Sequence, residues 1–270
     1  MKAVLDAGKL RKNLRRFYNS SDAYAEHLSE EDEAYFQRYL SLVSRYAASA
    51  HRVLDAGCGT GFSSHLLSRQ KKEVIGIDIS ELFLKRGSAI YASPNLAFAC
   101  ADILSLPFKN GSFDLVASYL VIEFFPEVER GLEEMCRVLK KGGVLLIVAP
   151  NLLSPTWPLK DYFRMVQGGA ARPVWCEDRR NALQTFKSNL KSSLKKMMQR
   201  DPEFLYREPD LTCRKVIGRD SDSVYLASPM DLEKFLRKRG FRILRTGSES
   251  NWIERVFPFL SVSVEIVAQK

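Results

Sequence analysis

Short apolar runs alternate with longer amphipathic stretches in the middle of the chain. Five runs rich in β-branched and large apolar residues predict buried β-strands, at 51–55, 73–78, 96–102, 113–118 and 143–149. The connections between them are mostly long enough to hold a helix, which is typical of a parallel sheet covered on both faces. Several runs end in a carboxylate, at the edge where an open α/β sheet binds its ligand.

The flanking segments differ from this pattern. The N-terminal residues are polar and helical in pattern, and a charged stretch with five prolines follows the fifth run. Near the C-terminus, residues 231–240 predict a helix closed by glycine, and 241–245 and 260–268 predict strands. We therefore predict four parts, which are an N-terminal helical lid (1–50), a ligand-binding core (51–150), an inserted cap (151–228) and the C-terminal part of the core sheet (229–270).

Composition fits one α/β domain with an inserted cap. The chain has 270 residues, of which 46% are apolar, so it can bury a core and is not a disordered protein. The net charge is +9, and five of these nine charges belong to the cap, which makes basicity a property of that segment. The excess of cations suits an anionic partner, but many enzymes without such a partner are basic too.

No targeting or membrane segment is predicted. The longest apolar run, Val144–Ala149, is far too short to cross a bilayer, and Met1–Arg16 lacks the apolar core of a signal peptide. The cysteines are odd in number and widely spaced, which favours reduced thiols over disulfides or a zinc site; they are Cys58, Cys100, Cys136, Cys176 and Cys213. These features predict a cytoplasmic protein without a membrane span and without a metal site.

The most informative motif is a glycine loop that follows the first predicted strand. Gly57, Gly59 and Gly61 lie between that strand and a predicted helix, so that backbone N–H groups can approach a ligand with no Cβ in the way. A dinucleotide fingerprint would need its third glycine at position 62, which is Phe62. Asp55 precedes the loop by two residues, which gives the pattern acidic-x-Gly-x-Gly-x-Gly.

This pattern resembles the first motif of class I methyltransferases that use S-adenosylmethionine. In that family the loop holds the methionine end of the cofactor, and an acid at the end of the second strand, here Asp78, accepts hydrogen bonds from both ribose hydroxyls. Asp102 matches the acid that accepts the adenine amino group. Residues 106–118 are similar to the family's fourth-strand entry, and 135–143 to the helix and turn before its fifth strand. The likeness is greatest to the branch that includes ubiquinone and menaquinone biosynthesis methyltransferases.

The resemblance implies an α/β fold with a Rossmann-like seven-stranded sheet, mostly parallel with an antiparallel last strand, helices on both faces and a helical cap insertion. It implies S-adenosylmethionine as cofactor and S-adenosylhomocysteine as product. The residues expected to bind the cofactor are Asp55, Gly57, Cys58, Gly59, Gly61, Asp78, Ile79, Asp102, Ile103 and Ser118. Cys58 is expected to be a small loop residue and not a nucleophile.

The methyl acceptor is less well defined by the sequence. The motifs of adenine-amino, cytosine-C5, protein-arginine and metal-dependent catechol methyltransferases are all missing after the fourth strand, where Ser118-Tyr-Leu-Val121 stands. Alignment of the acceptor and removal of a proton are the main catalytic tasks. Glu123, Tyr119 and His27 are weak candidates for a catalytic role. Tyr18 and Tyr24 could touch cofactor or acceptor, although ordinary packing is the favoured interpretation of both.

The cap is expected to determine specificity. Its aromatic residues could stack on a planar acceptor, and its arginines could neutralise an anionic one; the aromatic residues are Trp157, Tyr162, Phe163, Trp175, Phe186, Phe204 and Tyr206. A packed helical cap with solvated charges is the equally weighted alternative. The preferred function is O- or N-methylation of a small molecule. An RNA or other nucleic-acid methyltransferase and a non-catalytic cofactor-binding subunit are the alternatives, and the oligomeric state is left open.

Overall fold

The computed structural model describes residues 6–30, 32–169, 178–211, 221–248 and 252–270. It contains two compact units, one of residues 1–147 with 267–270 and one of residues 148–266. Three residues named above, Trp175, Cys176 and Cys213 in the cap, lie outside the described residues. The four-part division of the chain stays a prediction.

Seven strands form the sheet, in the order β3-β2-β1-β4-β5-β7-β6. They are β1 (Arg52–Ala56), β2 (Glu73–Asp78), β3 (Leu96–Cys100), β4 (Phe113–Tyr119), β5 (Leu139–Pro150), β6 (Arg242–Thr246) and β7 (Ser263–Gln269). β1 pairs in parallel with β2 and β4, and β2 pairs in parallel with β3. β7 runs antiparallel to β5. At one end the Gly142 N–H donates to the Lys270 carbonyl and the Lys270 N–H donates to the Gly143 carbonyl, and at the other end the Asn151 N–H donates to the Val262 carbonyl. The predicted fold class is confirmed.

Both faces of β1 are covered. Val53 and Leu54 point to opposite faces of the strand, and each is completely buried. The helices of this unit that follow strands are α4 (Phe62–Ser68), α5 (Glu81–Ile90) and α6 (Val128–Val138). They supply the crossovers that parallel pairing requires. The carboxyl ends of β1 to β4 therefore meet at one edge of the sheet.

Three helices precede the sheet, and side chains cap the first turns of the first and the third. They are α1 (Ala7–Asn19), α2 (Asp22–Ser29) and α3 (Glu33–Tyr46). The Asp6 carboxylate accepts a hydrogen bond from the Lys9 N–H at 3.0 Å, and Asp32 accepts one from the Tyr35 N–H at 3.1 Å. At the other end of α3, the buried Lys72 ammonium donates to three backbone carbonyls just past the helix, those of Ala47, Ala48 and Ala50.

One boundary differs from the sequence prediction. The resemblance places residues 135–143 in the helix and turn before the fifth strand, but α6 ends at Val138 and β5 begins at Leu139. The reason is the ladder with β7, because the N–H of Gly142 donates to the Lys270 carbonyl at 2.8 Å. A partner strand distant in sequence thus extends these residues, which local propensity alone would have placed in a turn.

The second unit contains a helix pair and the surroundings of β6. Its helices are α7 (Thr156–Val166), α8 (Arg179–Met198), α9 (Pro229–Lys238) and α10 (Trp252–Val256). α8 is attached through side chains that donate to backbone carbonyls, Asn189 to Ser154 at 3.1 Å and Ser193 to Leu153 at 3.3 Å. None of the helices in the described parts of the chain combines the length and the apolarity needed to span a bilayer.

Candidate functional site

Hydrogen bonds to the end of β2 fix the glycine loop. The N–H groups of Gly57 and Cys58 both donate to the Ile77 carbonyl, at 2.8 and 2.9 Å, and the N–H of Gly59 donates to the Asp78 carboxylate at 3.0 Å. All three glycines of the loop have positive φ, at +82°, +56° and +85° for positions 57, 59 and 61. The loop therefore uses backbone conformations that side chains with a Cβ rarely adopt.

Close packing is a second reason for glycine at two of these positions. A Cβ on Gly57 would come within 2.3 Å of the Val121 side chain, and a Cβ on Gly61 within 2.4 Å of the Phe98 ring. Val121 follows β4, and Phe98 belongs to β3, so neighbouring strands press against the loop from both sides. The loop is consequently held in one conformation by its surroundings.

Asp55 supports the loop and does not line the cavity. Its carboxylate is 1% exposed and accepts hydrogen bonds from the hydroxyls of Ser63 and Ser64, both at 2.6 Å. Burial raises the pKa of Asp55, and the hydrogen bonds from the two serines partly offset this effect. Asp55 thus joins the end of β1 to the first turn of α4. At this position of the motif, the side chain supports the glycine loop and does not face the cavity.

Asp78 lies where the loop and the end of β2 meet. One carboxylate oxygen accepts from the Gly59 N–H at 3.0 Å, and the other accepts from the Ser80 N–H at 2.9 Å. Burial raises the pKa of Asp78 to about 6, against the lowering effect of these backbone hydrogen bonds. Each oxygen keeps further capacity to accept a hydrogen bond, so the carboxylate can hold a pair of hydroxyl groups.

Asp102 forms an ion pair that the sequence did not predict. One oxygen accepts from the Leu104 N–H at 2.8 Å, at the start of the 3-10 turn Ile103–Ser105, and the other is bound by the Arg11 guanidinium of α1. Both side chains are partly buried, at 34% and 20% exposure for Arg11 and Asp102. This ion pair joins α1 to the end of β3. It involves the same carboxylate that the resemblance assigns to an adenine amino group.

A deep cavity opens at this edge of the sheet. The space between its lining residues amounts to about 1090 Å³, which includes a part open to solvent. Its lining includes seven of the ten residues expected to bind cofactor, namely Gly57, Cys58, Gly59, Asp78, Ile79, Asp102 and Ile103. Asp55, Gly61 and Ser118 are not in the lining; they lie behind it.

Aromatic side chains from the N-terminal helices form much of the cavity wall. Tyr18 and Tyr24 contact each other edge to face at 5.7 Å between ring centroids, and Tyr24 stacks on Phe83 at 5.8 Å. Both tyrosines line the cavity, so the same side chains pack against neighbouring rings and face the space open to a ligand. A second group surrounds the Tyr119 ring, with Phe36 at 5.0 Å and Tyr35 at 5.8 Å.

The three weak catalytic candidates lie in different places. Tyr119 lines the cavity, and its hydroxyl donates to the Tyr35 carbonyl at 2.9 Å. Glu123 is 1% exposed in the 3-10 turn Ile122–Phe124 and is not part of the lining, and His27 is exposed on α2. Of residues 118–123, which follow the motif at the fourth strand, Tyr119, Leu120 and Val121 line the cavity.

Leu120 has an unusual backbone conformation at this point. Its φ is +56°, which is uncommon for a residue with a branched side chain and costs conformational energy. The turn directs the chain from β4 into the 3-10 turn and brings Val121 against Gly57. The cavity floor therefore depends on a strained residue that the surrounding packing keeps in place.

Cys58 behaves as expected for a loop residue. It is buried, and burial, with the neighbouring Asp55 and Asp78 carboxylates, raises the pKa of its thiol well above the usual value. A thiol that resists ionisation is a poor nucleophile. The described residues contain no group of His, Cys, Asp and Glu side chains that could hold a metal ion.

Sequence reasoning missed several cavity residues. Arg11, Tyr35, Phe36, Phe62 and Phe83 all line the cavity, but four of them lie outside the recognised motifs, and Phe62 was noted only because it is not glycine. A signal existed on α3, where aromatic residues repeat at helical spacing and so share one face. The charge on Arg11 had no such signal, because its partner Asp102 is 91 residues away.

Comparison with known proteins adds three findings. Residues 54–147 match the family model described as a methyltransferase domain. A demethylmenaquinone methyltransferase from Porphyromonas gingivalis is 34% identical over 124 residues, which cover 43% of this chain and 50% of that protein. The chloroplastic tocopherol O-methyltransferase of Arabidopsis thaliana is 34% identical over 148 residues, which cover 50% of this chain and 42% of that protein.

The fold as a whole resembles solved structures. The crystal structure of magnesium protoporphyrin IX methyltransferase from Synechocystis PCC 6803 with bound S-adenosylhomocysteine aligns with a TM-score of 0.58 at 18% identity, covering 96% of this chain and 99% of that one. At this identity the likeness concerns the fold alone. The present chain spans about half the length of the curated relatives that it matches.

Proposed function

We propose that the whole chain transfers a methyl group from S-adenosylmethionine to an oxygen or nitrogen of a small-molecule acceptor, a proposal that proceeds from the match of residues 54–147 to a methyltransferase domain and from the similarity to S-adenosylmethionine-dependent methyltransferases. The sequence-based identification of the domain class, including its similarity to the menaquinone branch, is confirmed by these matches. The acceptor and the attacked atom belong to the proposal.

The residues of the cavity fit S-adenosylmethionine. The loop presents backbone without Cβ atoms, which leaves space for the methionine end, and Asp78 keeps acceptor capacity on both oxygens for a ribose diol. Asp102 and Ile103 lie at the end of β3, where the resemblance places the adenine ring. When bound, this group supplies an electrophilic methyl on a positively charged sulfur.

The single observation that carries the proposal is the convergence of Gly57, Gly59 and Asp78 on one cavity with a direct Gly59–Asp78 hydrogen bond of 3.0 Å. This bond couples the loop conformation to the carboxylate, so both are ready for the ligand before it arrives. Such preorganisation reduces the ordering cost of binding. The aromatic wall then excludes water from the site of transfer.

The lining also supports an acceptor with an apolar or aromatic part. Among the described residues that line the cavity, Arg11 is the one cation, and it is bound to Asp102. A polyanionic acceptor such as RNA would need several unpaired cations there. Tyr35, Phe36 and Tyr119 instead offer ring faces and edges, which suit stacking against a planar small molecule.

Calorimetric titration with S-adenosylmethionine and S-adenosylhomocysteine tests the cofactor part of the proposal. We expect both ligands to bind the native chain, and Asp78→Asn to weaken binding by roughly 100-fold, since two charge-assisted hydrogen bonds become neutral ones at a cost of about 1.4 kcal/mol each. Glu73→Gln is the matched control, because Glu73 stands at the opposite end of the same strand. No heat with either ligand would refute the proposal.

The acceptor part needs a second experiment. The chain is incubated with labelled methyl donor and fractionated cell extract, and we expect label in the small-molecule fraction. Label confined to RNA or protein fractions would contradict the small-molecule acceptor while leaving the methyltransferase activity intact. Binding of cofactor without label in any fraction would favour a non-catalytic cofactor-binding subunit.

A further inference from the structure

Helix α8 (Arg179–Met198) buries mostly polar side chains and exposes several large apolar ones. Its buried positions are occupied by Ala182, Asn189, Ser193 and Lys196, three of which are polar. The exposed large apolar side chains are Leu183 at 37%, Leu194 at 46%, Met197 at 46% and Met198 at 81%. A helix that buries polar residues and exposes apolar ones has a second surface to cover.

The apolar residues form a continuous row. Leu183, the half-buried Leu190 and Leu194 are spaced by seven and four residues, which places them one above another on an α-helix. Met197 continues the row by a further turn. The neighbouring helix α7 adds two exposed apolar side chains, Phe163 at 55% and Val166 at 51%.

A row of cations runs beside the apolar row. Arg180, Lys187 and Lys191 have the same spacing of seven and four residues and lie about 60° further around the helix. The helix contains six cations and no acidic residue. Two of the six are paired, Lys195 with Glu203 and Lys196 with Asp231, and the others have no acidic partner among the residues that the structure describes.

We propose that the exposed face of α8, with its leucine row and its cation row, docks on the surface of a membrane that contains anionic lipids. An apolar row flanked by lysine and arginine is the pattern of a helix lying in the interface between headgroups and acyl chains. Leu183, Leu190 and Leu194 would enter the acyl boundary while the cations contact lipid phosphates. This inference does not depend on the proposed methyltransferase activity.

Two other occupants fit the face less well. A second copy of the chain in a two-fold arrangement would bring identical cation rows close together, which is repulsive. Single-stranded RNA would use the cations, but binding of that kind relies on aromatic stacking, and the exposed row on α8 consists of leucine and methionine. Lipid is the partner that uses both rows at once.

Flotation of the full chain with lipid vesicles tests the proposal. We expect binding to phosphatidylcholine vesicles with roughly a third phosphatidylglycerol, little binding to pure phosphatidylcholine, and a steep decrease with salt. Each cation near an anionic surface contributes about fivefold to the partition coefficient, so the triple variant R180Q/K187Q/K191Q should bind about 100-fold more weakly.

Matched controls separate the face from overall charge. The variant K85Q/K109Q/K141Q removes three exposed lysines elsewhere, and we expect less than about threefold loss because those lysines are not beside an apolar row. L194Q/M198Q should reduce binding at least tenfold at constant charge, whereas Ile90→Gln, at a 56% exposed position in the first unit, should not. Circular dichroism and thermal unfolding verify that each variant is folded.

Three results would overturn the proposal. The first is an equal loss of vesicle binding in R180Q/K187Q/K191Q and in K85Q/K109Q/K141Q. The second is binding to an RNA homopolymer that depends on α8, without binding to vesicles. The third is a dimer in sedimentation velocity that L194Q/M198Q dissociates, in a native chain that does not bind vesicles. Failure of cofactor binding with intact vesicle binding would count against the proposed function alone, so the two proposals fail separately.

Discussion

The two units of the molecule treat buried carboxylates in opposite ways. In residues 148–266, Asp231 pairs with Lys196 at 2.5 Å and Glu265 pairs with Arg245 at 3.0 Å, and all four side chains are at most 4% exposed. These charges are satisfied from within the unit. A buried pair of this kind fixes the packing of the elements that contribute it and leaves nothing for a ligand.

In residues 1–147, two carboxylates of the candidate site, Asp55 and Asp78, have no such cation. Asp55 is held by two serine hydroxyls and Asp78 by two backbone N–H groups, and neither has a cationic partner among the described residues. Burial raises the pKa of both groups. The difference is that cations neutralise the buried carboxylates of one unit, whereas Asp55 and Asp78 in the other are held by neutral donors, and Asp78 keeps capacity to accept further hydrogen bonds.

The largest expected effect concerns the paired unit. Lys196→Met leaves the Asp231 carboxylate buried without its cation, and we expect it to lower the free energy of unfolding by about 3–5 kcal/mol in urea titration. Because burial already raises the pKa of Asp231, the loss should be smaller at pH 5 than at pH 8, where the carboxylate must stay charged.

The double variant K196M/D231N is the control for this prediction. It removes the unpaired charge and keeps an acceptor for the Glu203 N–H, which donates to Asp231 at 3.1 Å. We expect it to recover at least half of the loss. Equal destabilisation of single and double variants would mean that packing of the lysine chain, and not its charge, holds this region together.

The next effect concerns the pH dependence of binding at Asp78. The pKa of about 6 means that the carboxylate forms as pH rises through that value. The free chain loses stability from this group as the pH rises from 3.8, the ordinary pKa of aspartate, to about 6, since the folded state binds this proton more tightly than the unfolded state. Ligand affinity moves in the other direction, because the ionised form is the better acceptor for ribose hydroxyls.

Adenosine is the suitable probe, since it carries both ribose hydroxyls and has no group that titrates between pH 5 and 7. We expect its association constant to rise about tenfold from pH 5 to pH 7 in calorimetric titration. Asp78→Asn should bind weakly and without this slope. A native chain whose affinity is flat over this interval would contradict the role assigned to Asp78.

A smaller effect should follow from neutralising Asp55. Asp55→Asn keeps an oxygen that can accept from Ser63 and Ser64, and it removes a buried charge without a counter-ion. We expect the free energy of unfolding to change by no more than about 1 kcal/mol. The same substitution at Asp231 should cost clearly more, because it leaves Lys196 unpaired; similar costs at both positions would remove the contrast between the units.

Much of the fold follows from local sequence patterns. The five apolar runs predicted β1 to β5 in their correct places, because strands buried on both faces are recognisable as continuous apolar segments. The glycine spacing and Asp78 located the cavity edge for a similar reason, since turn geometry and strand ends are local features. The predicted start of β5 was wrong, because the first residues of this strand are extended by pairing with Lys270 at the other end of the chain.

The wall of the site was harder to predict than its floor. Tyr35, Phe36 and Phe83 become cavity residues through the packing of helices that are far apart in sequence. Asp55 was assigned to cofactor contact, although the structure places it beneath the loop, because a motif records which residue is present and not which way its side chain faces. Long-range ion pairs such as that of Arg11 leave no local pattern at all.

That ion pair gives the smallest predicted effect and the finest test of the comparison. Asp102 is the one carboxylate lining the cavity, among the described residues, that is already bound to a cation, so the contrast between the units predicts that removing the cation frees a ligand site. Arg11→Met should therefore strengthen adenosine binding by about twofold to fivefold, a modest change because a partly exposed pair is worth at most about 1 kcal/mol. Arg15→Met is the matched control, one turn further along α1, where the arginine pairs with Glu81 at 3.5 Å outside the cavity. Weaker adenosine binding in Arg11→Met, with Arg15→Met unchanged, would show that Arg11 holds the ligand together with Asp102 and does not compete with it.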